Sequence, residues 1–457
     1  MNPDEVSLRT SILYQNDDRD ITLMDLPTSI AVGQKVTAGD ILLSTPPIES
    51  PYLIASDPKT KKAQERHAEP AVSNKLHAEY RVEIDRALAE IRRRVPAPWC
   101  LPRKLMAHVP ESRNTNMDVD DPEKELETRL REWSASKGDD EPFDFNKMMA
   151  ALGSSSDATS CDPVAQKWSM SCTPAREITE GLGEDSVSPT EAWTSSLHNP
   201  NDHALELNIS QSFTHPEGIR EYRFRVPPRS TFFLDDVTDP SSFRASFRDL
   251  TSEYNLPRHF DFVLLDPPWP SRSAKRVRTY EQVGGIPHTK RMLLNMSIES
   301  YLEHNSILAM WITNSPKQRD AVLGPGGLFE RWNLSFCEEW IWIKTTASGE
   351  PMFSLETLWR KPYETLLLAR AAPDTWTKME PAPAIKRRII AAVPDIHSRK
   401  PCIKELIEPF LPHDYSALEV FSRSLVAGWT SWGNEAIKYN WEKYWASGAT
   451  EPELSHG

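Results

Sequence analysis

The segment "FDFVLLDPPWPSRSAKR" at residues 260–276 decides the fold of this chain. Its first half is almost continuously apolar, which is typical of a strand in a sheet that is covered on both faces. The apolar run ends in Asp266, and Pro267 and Pro268 follow. Because each proline fixes its own φ and restricts the residue before it, the loop is stiff. The segment therefore predicts a buried strand that delivers a carboxylate, in a rigid loop, to one edge of a sheet.

The loop presents hydrogen-bond acceptors and a flat apolar ring. Proline has no N–H group to donate, so the available groups are the Asp266 carboxylate and nearby backbone carbonyls. Acceptors suit a primary amine, and the indole of Trp269 suits a planar base by stacking. The loop is thus a candidate holder for the amino group of a nucleobase. The structural alternative is a strand that ends in a proline-stiffened turn, with Trp269 in the core.

The pattern of the segment continues on both sides of it from about residue 218. Helical stretches alternate with further apolar runs that predict strands, at 230–237, 305–313, 337–345, 363–370 and 416–422. This alternation predicts an α/β domain with a mostly parallel sheet. Ligands of such sheets bind beyond the carboxyl ends of the strands, and both Asp266 and Asp236 lie at such ends.

The N-terminal half differs from this domain in composition and in hydrophobic pattern. Residues 1–110 predict small elements and a helix near 75–95, which Pro96 ends. Residues 111–215 are rich in Ser, Asp, Glu, Thr and Pro and predict a mostly disordered linker with short helices. We therefore predict a folded domain at 216–445 and a disordered tail at 446–457. The apolar positions of the predicted helix recur at helical spacing, with Val82 off that face: Leu76, Tyr80, Ile84, Leu88 and Ile91.

Composition excludes several classes of protein. The 457 residues carry 53 basic and 66 acidic side chains, a net charge of −13, whereas a non-specific nucleic-acid coat protein is usually basic. The five cysteines lack metal-ligand spacing, so no metal is expected. The polar start "MNPDEVSLRT" does not predict a secretory signal, and no apolar run is long enough to predict a membrane span.

Four downstream tracts occur in a fixed order: "EEWIWIKTTASGEP", "RKPYETLLLAR", "IHSRKP" and "LEVFSRSLVAGWTSWGNE". Together with the Asp-Pro-Pro-Trp loop, they make residues 218–445 resemble the MT-A seventy-type N6-adenine methyltransferase family. The tracts "KPYE" and "GWTSWGNE" resemble its methyltransferase-like protein 4 branch. The resemblance implies a Rossmann-like, S-adenosylmethionine-dependent methyltransferase domain with a permuted motif order, preceded by a partly disordered, partly helical region. The chain lacks a GxGxxG loop, as the family does.

The resemblance also implies a role for individual residues. Asp266 and the Pro267 carbonyl would accept hydrogen bonds from the adenine amine, while Pro268 stiffens the loop and Trp269 packs against the base. For the S-adenosylmethionine donor, the resemblance implies that Asp236 and Val237 contact the adenine ring and that Lys400 meets the carboxylate. It also implies that Arg423 contacts the ribose side and that Asn434 and Glu435 bind the ribose hydroxyls.

Four of the donor-site residues also have a structural interpretation. Asp236 suits the N-cap of the helix that begins near "PSSF". Lys400 and Arg423 would then be surface charges, and Asn434 a turn residue. Leu425 and Val426 stand where some relatives carry polar ribose contacts, so those ribose contacts are not expected at these two positions.

Positive charge is concentrated beside the proposed base pocket. The segment "PSRSAKRVRTY" places Arg272, Lys275, Arg276 and Arg278 within seven residues of an acidic chain. Such a run is usually a solvated face, but its position predicts contacts with phosphate. Weaker candidates for nucleic-acid contact are Tyr280, Lys344 and Lys361.

The sequence thus predicts an N6-adenine methyltransferase of nucleic acid, and the branch resemblance points to 2′-O-methyladenosine in small nuclear RNA or to adenine in DNA. Two alternatives stay open: a catalytically inactive member that binds nucleic acid or supports a partner, and a methyltransferase for another amino group. A nucleic-acid substrate would place the protein in the nucleus, with the cytoplasm or the mitochondrion as further sites.

Overall fold

The computed structural model describes residues 10–36, 40–52, 71–106, 122–135, 168–175, 190–212, 219–270, 285–357 and 360–447. The strands within these residues are β1 Ile12–Gln15, β2 Ile21–Met24, β3 Asp40–Leu42, β4 Trp168–Pro174, β5 Glu191–Ala192, β6 Ser196–His198, β7 Leu205–Ser212, β8 Ile219–Val226, β9 Thr231–Phe233, β10 Phe260–Leu265, β11 Leu302–Ile312, β12 Leu334–Lys344, β13 Tyr363–Ala371, β14 Lys386–Ala392, β15 Ala417–Val420, β16 Thr430–Trp432 and β17 Trp445–Ser447. The α-helices are α1 Leu26–Gly33, α2 Ala71–Arg94, α3 Pro122–Ala135, α4 Pro240–Tyr254, α5 Gly285–Asn295, α6 Pro316–Leu323, α7 Leu328–Arg331 and α8 Lys404–Ile407. Short 3₁₀ helices lie at Ile298–Tyr301, Glu408–Phe410, Lys438–Asn440 and Glu442–Tyr444.

The chain divides into two compact units. The first unit comprises Met1–Thr115, Pro257–Phe421 and Tyr444–Gly457, and the second comprises Asn116–Leu256 and Ser422–Lys443. The division differs from the predicted domain at 216–445, because the N-terminal elements fold together with the downstream strands. The predicted boundaries themselves stay a prediction.

The first unit is built on a mixed sheet. Its strands follow one another in the order β1-β2-β14-β12-β13-β11-β10-β15. β10 runs parallel to β11 and β15, and β14 runs parallel to β12 and β2. β13 is antiparallel to both of its neighbours, and β1 is antiparallel to β2. The α/β class is therefore confirmed, and four of the seven strand pairings in this sheet are parallel, while the other three are antiparallel. The described residues between β12 and β13 form no helix, so the chain returns directly, and a direct return pairs strands antiparallel.

The central strands of this sheet are covered on both faces. Phe262, Val263 and Leu265 of β10 are fully buried, and every residue of β11 from Ser306 to Ile312 is buried. Each of the six apolar runs identified in the sequence contains a strand. The run at 230–237 contains the shortest of these strands, since only its residues Thr231–Phe233 form β9. Continuous burial explains why these strands lack the alternating pattern of a half-exposed sheet.

Helix α2 packs on the first unit's sheet with the face that the sequence predicted. Tyr80, Ile84, Leu88 and Ile91 share a buried cluster with residues of β2, β12 and β14, and Leu76 packs against it. Val82 is 69% exposed, as its position off that face indicates. The N-terminal region is thus a structural part of the first unit, since β2 also pairs with β14.

The second unit contains order where the sequence predicted a mostly disordered linker. Between residues 111 and 215 the structure has helix α3 and strands β4 to β7. β5, β4, β7 and β8 form an antiparallel sheet in that order, while β6 and β16 flank β9. Trp133 of α3 is fully buried, with its ring centroid 5.2 Å from that of Trp168 and 5.3 Å from that of Tyr222. Aliphatic residues are few here, but aromatic rings bury enough apolar surface to order these elements. The remainder of 111–215 and the predicted tail, apart from Ala446 and Ser447, lie outside the described residues.

Candidate active site

Asp266 stands directly after β10, in the first unit. Its N–H donates to the carbonyl of Val420 at the end of β15, 3.4 Å away, which continues the pairing of the two strands. The Pro267 carbonyl accepts the N–H of Trp269 at 2.7 Å, so the loop closes into a tight turn. Because a carbonyl oxygen has two lone pairs, Pro267 keeps one for a further donor. The proline pair thus fixes the carboxylate at the strand end, as the sequence predicted.

Trp269 has a structural role in this loop. Its indole is only 6% exposed, and its Nε1–H donates to the carbonyl of Trp311 on β11 at 2.7 Å. This hydrogen bond ties the catalytic-loop candidate to the neighbouring strand. The structural interpretation of Trp269 therefore fits the observed burial, while stacking of its ring on a base stays a prediction.

Lys400 binds the carboxylate of Asp266. Its Nζ lies 3.0 Å from Oδ1 and 2.9 Å from Oδ2 of Asp266, and 3.3 Å from Oε2 of Glu364 on β13. The Lys400 side chain is 19% exposed, and that of Asp266 is 27% exposed. Lys400 is thus not the free surface charge of the structural alternative. The sequence placed Lys400 with the donor-binding residues, and the structure places it at the Asp-Pro-Pro-Trp loop.

Glu364 is a candidate site residue that the sequence analysis missed. It contacts Lys400 on one side and Lys344 of β12 on the other, where the Lys344 Nζ lies 2.5 Å from Oε1. Burial alone would raise the pKa of Glu364, but the charges of Lys400 and Lys344 outweigh it and lower the pKa to about 2. The signal was present, because Glu364 is the last residue of the tract "KPYE".

Asp266, Lys400, Glu364 and Lys344 therefore form a row of alternating charges, which we call the charge row. The charges of two carboxylates and two ammonium groups balance one another, which offsets the cost of their partial burial. Chemically, the charge row offers a carboxylate acceptor at Asp266 and a cation beside it. The Asp266 carboxylate suits an amine as its ligand, and the Lys400 ammonium group suits a carboxylate.

The loop that carries Lys400 is anchored by N-terminal residues of the same unit. Asp395 pairs with Arg399 at 2.5 Å, and both side chains are at most 1% exposed. The N–H of Thr45 donates to Asp395 Oδ1 at 2.7 Å. Arg103 donates to the carbonyls of residues 393 and 394 at 2.9 and 3.0 Å. These contacts fix the backbone from which Lys400 projects.

The second unit brings together three of the predicted donor-site residues. Asn434 accepts the N–H of Val237 through Oδ1 at 3.3 Å, and its Nδ2 donates to Asp236 Oδ1, also at 3.3 Å. Asp236 is not a helix N-cap, because Asp239 caps α4 by accepting the N–H of Ser241. Asn434 is likewise more than a turn residue, since its amide joins two segments 197 residues apart.

Arg423 and Glu435 form a second pair in the same unit. Arg423 Nε lies 3.1 Å from Oε2 of Glu435, whose side chain is 6% exposed. Leu425 and Val426 are buried, and the N–H of Leu425 donates to Asn440, so these two positions serve the core. The acceptors of Asp236 and Glu435, the amide of Asn434 and the cation of Arg423 are groups that bind hydroxyls and ring nitrogens. This set of residues fits a nucleoside.

The candidates for nucleic-acid contact are only partly described. Lys344 belongs to the charge row, and its Nζ lies 4.7 Å from the centroid of the Trp342 ring. Lys361 is half-buried beside β13. The other candidates lie outside the described residues: Arg272, Lys275, Arg276, Arg278 and Tyr280.

Within the described part of the chain, no group of three or more His, Cys, Asp or Glu side chains is arranged to hold a metal ion. None of its helices combines the length and the apolar character that crossing a membrane requires.

Comparison with known proteins shows a family model and several relatives to which these residues are similar. The MT-A70 family model matches residues 260–435, which contain Asp266, Glu364, Lys400 and the tract that ends in Glu435. The chain is 41% identical over 219 residues to the N6-methyladenosine RNA methyltransferase MTA1 of Cryphonectria parasitica, which is 48% of this chain and 61% of the relative.

Two more distant relatives bear different names. The N(6)-adenine-specific methyltransferase METTL4 of Homo sapiens is 30% identical over 241 residues, or 51% of this chain and 48% of that protein. The DNA N6-methyl methyltransferase of Caenorhabditis elegans is 31% identical over 215 residues, or 47% of this chain and 53% of that protein. The matches thus span about half to three fifths of these relatives. Residues 260–435 of the chain thus match the MT-A70 family model.

Proposed function

We propose that the protein is an S-adenosylmethionine-dependent N6-adenine methyltransferase of nucleic acid. The observation that carries this proposal is the Asp266 carboxylate, fixed at the end of β10 within the matched residues and paired with Lys400. The names of the relatives support it, since all three describe N6 methylation and two of them name adenine or adenosine.

Asp266 binds the amine of the target adenine. Lys400 contacts both carboxylate oxygens, yet each oxygen has a second lone pair with which to accept an amine N–H. The remaining lone pair of the Pro267 carbonyl is the second acceptor. Positive charge develops on the amine as it is methylated, and the fixed carboxylate stabilises it. Because the reaction depends on alignment of two reactants, the rigidity of the proline loop serves catalysis directly.

The second unit binds the nucleoside part of the donor. When bound, S-adenosylmethionine supplies an electrophilic methyl group on its sulfonium sulfur. Glu435 and Asn434 hold the ribose hydroxyls, Arg423 contacts the ribose side, and Asp236 with Val237 contacts the adenine ring. The mutual hydrogen bonds of Asp236, Val237 and Asn434 support this assignment, because they converge polar groups from distant segments. Lys400 is the proposed partner of the donor carboxylate.

The proposed substrate is adenosine in RNA, with 2′-O-methyladenosine of small nuclear RNA as the finer proposal and adenine in DNA as the alternative. The relative with 41% identity is named as an RNA enzyme, which favours RNA. Unpaired adenosine is the easier target, because a base in a duplex must first be flipped out. Phosphate contacts of the basic segment that starts at Arg272, and a nuclear location, are parts of the same proposal.

The test is methyl transfer from labelled S-adenosylmethionine to matched RNA and DNA oligonucleotides, with the Asp266→Ala variant alongside. We expect N6-methyladenine with the wild-type protein only, and the better oligonucleotide identifies the substrate class. If the donor binds but no product forms, the protein is an inactive, partner-supporting member. If methyl groups reach another amine, mass spectrometry of the product identifies it. Absence of donor binding overturns the proposal.

A further inference from the structure

Helix α3 contacts a buried lysine through two glutamates on one face. Glu123 and Glu127 are four residues apart, so they lie one above the other on the helix surface. The Nζ of Lys438 is 2.7 Å from Glu127 Oε1 and 3.3 Å from Glu123 Oε1. Lys438 is only 5% exposed, so both of these ion pairs are largely withdrawn from water. All three residues belong to the second unit.

Lys438 lies in the tract that carries two of the proposed donor-binding residues. Its N–H donates to the carbonyl of Glu435 at 2.9 Å, which places it one turn after Asn434 and Glu435. Burial alone would lower the pKa of Lys438, but the nearby charges of Glu435 and Glu127 outweigh it and raise the pKa above its usual value. The ammonium group is therefore charged at neutral pH, and it needs the carboxylates of α3 to remain buried.

The two residues after Lys438 make further hydrogen bonds within the second unit. Tyr439 donates its N–H to the carbonyl of Arg423 at 2.8 Å. Asn440 is fully buried, accepts the N–H of Leu425 at 2.8 Å, and donates to the carbonyl of Arg225 on β8 at 2.9 Å. The tract from Arg423 to Asn440 is therefore held by α3 and β8, which both precede the matched residues 260–435.

We propose that Lys438 is a positioning residue of the donor site and that Glu123 and Glu127 set the affinity for the donor through it. This inference rests on the proposed function, because it takes Asn434 and Glu435 as ribose contacts. The physical reason is that a buried ammonium group without its carboxylates is strongly unfavourable, so the tract keeps its shape only with α3 in contact. Glu127 controls donor binding although it is 311 residues from Lys438 along the chain.

The test compares the Glu127→Gln variant and the double variant Glu123→Gln/Glu127→Gln with Glu132→Gln in the full-length protein. Glu132 lies on the same helix, is 47% exposed and pairs with Arg129. We measure the Kd of S-adenosylmethionine by calorimetry, the donor KM, the nucleic-acid KM and kcat. The donor Kd and KM should rise about tenfold in the double variant, which corresponds to a network coupling of about 1.4 kcal/mol. The value of kcat at saturating donor, the nucleic-acid KM and all values for Glu132→Gln should stay unchanged.

Lys438→Arg keeps the charge and should retain near wild-type donor affinity, whereas Lys438→Met should not. If the double variant does not fold, Glu127→Gln retains one ion pair and carries the comparison. A lower melting temperature with unchanged donor Kd would show a purely structural contact and overturn the inference. Wild-type protein that fails to bind the donor would instead overturn the proposed function, and the inference with it.

Discussion

The ammonium group of Lys400 contacts both carboxylate oxygens of Asp266, at 3.0 and 2.9 Å, although the two residues are 134 positions apart. Glu364 contacts the same ammonium group from another strand at 3.3 Å. Lys400 therefore has two acidic partners at once, and it balances the charge of the proposed amine acceptor. The relationship gives Lys400 two candidate roles, as a partner of Asp266 and as a ligand of the donor carboxylate.

Binding measurements separate these two roles. We expect Lys400→Met to weaken donor binding by about tenfold or more, because a charge-assisted hydrogen bond contributes about 1.5–3 kcal/mol. We expect the same loss when the substitution is made in an Asp266→Asn protein, since a direct contact with the donor does not need Asp266. Calorimetry measures both losses without requiring methyl transfer, and Lys404→Met serves as the control. A loss that disappears in the Asp266→Asn protein would assign Lys400 to Asp266 alone.

The lowered pKa of Glu364 predicts that the stability of the fold depends on pH. Its pKa is lowered in the folded protein from 4.5 to about 2, so ionised Glu364 stabilises the fold above pH 4.5. That contribution, about 3 kcal/mol, is lost as the pH falls through 4.5 toward 2. We therefore expect Glu364→Gln to lower the free energy of unfolding at pH 7 and to flatten its decrease below pH 4.5. Urea denaturation at pH 7, 4.5 and 3 measures this, with the exposed Glu380→Gln as control. Parallel pH curves for wild type and Glu364→Gln would contradict the expectation.

Features that depend on local pattern were predictable from the sequence. The strand before Asp266 is recognisable because its apolar run is continuous, and helix α2 is recognisable because its apolar residues recur every three or four positions. The stiff loop at Asp266 follows from the chemistry of Pro267 and Pro268 alone. These features depend on residues that are close in the sequence, and local backbone preferences and burial fix them.

Features that depend on long-range pairing were not predictable. The row formed by Asp266, Lys400, Glu364 and Lys344 joins four separate strands or loops, and nothing in the local sequence of Glu364 specifies its partners. Strands β4 and β7 are polar on alternate positions and pair across more than 30 residues, so their segment resembles a disordered linker in composition. These strands are nevertheless ordered, because aromatic rings pack around Trp133.

Helix α2 offers a matched test of the buried cluster on the first unit's sheet. Ile84 is fully buried against the sheet, whereas Val82, two positions earlier, is 69% exposed. Ile84→Ala should lower the free energy of unfolding by about 2–5 kcal/mol, because it leaves a cavity in a packed core. Val82→Ala should change it by no more than about 0.5 kcal/mol. Denaturant titrations of both variants measure the difference, and equal effects would show that α2 does not pack on the sheet.

The last prediction concerns Trp269, for which burial and base stacking give opposite expectations. Trp269→Phe removes the hydrogen bond to the Trp311 carbonyl, and Trp269→Leu also removes the aromatic face. If the indole is a core group, both variants should lose about 1–3 kcal/mol of stability while the KM for the oligonucleotide stays near its wild-type value. If the ring stacks on the target base, Trp269→Leu should raise that KM about fivefold or more, because stacking contributes about 1–3 kcal/mol per base.

The expected result is a loss of stability with little change in KM, because the indole is 6% exposed and its N–H is already bonded within the sheet. Trp376→Leu is the matched control, since that ring is 93% exposed in the same unit and should affect neither quantity. A raised KM at unchanged stability would contradict the core assignment. The Asp-Pro-Pro-Trp loop would then hold the base with the ring as well as with its acceptors, and the buried indole would have to leave the core on binding.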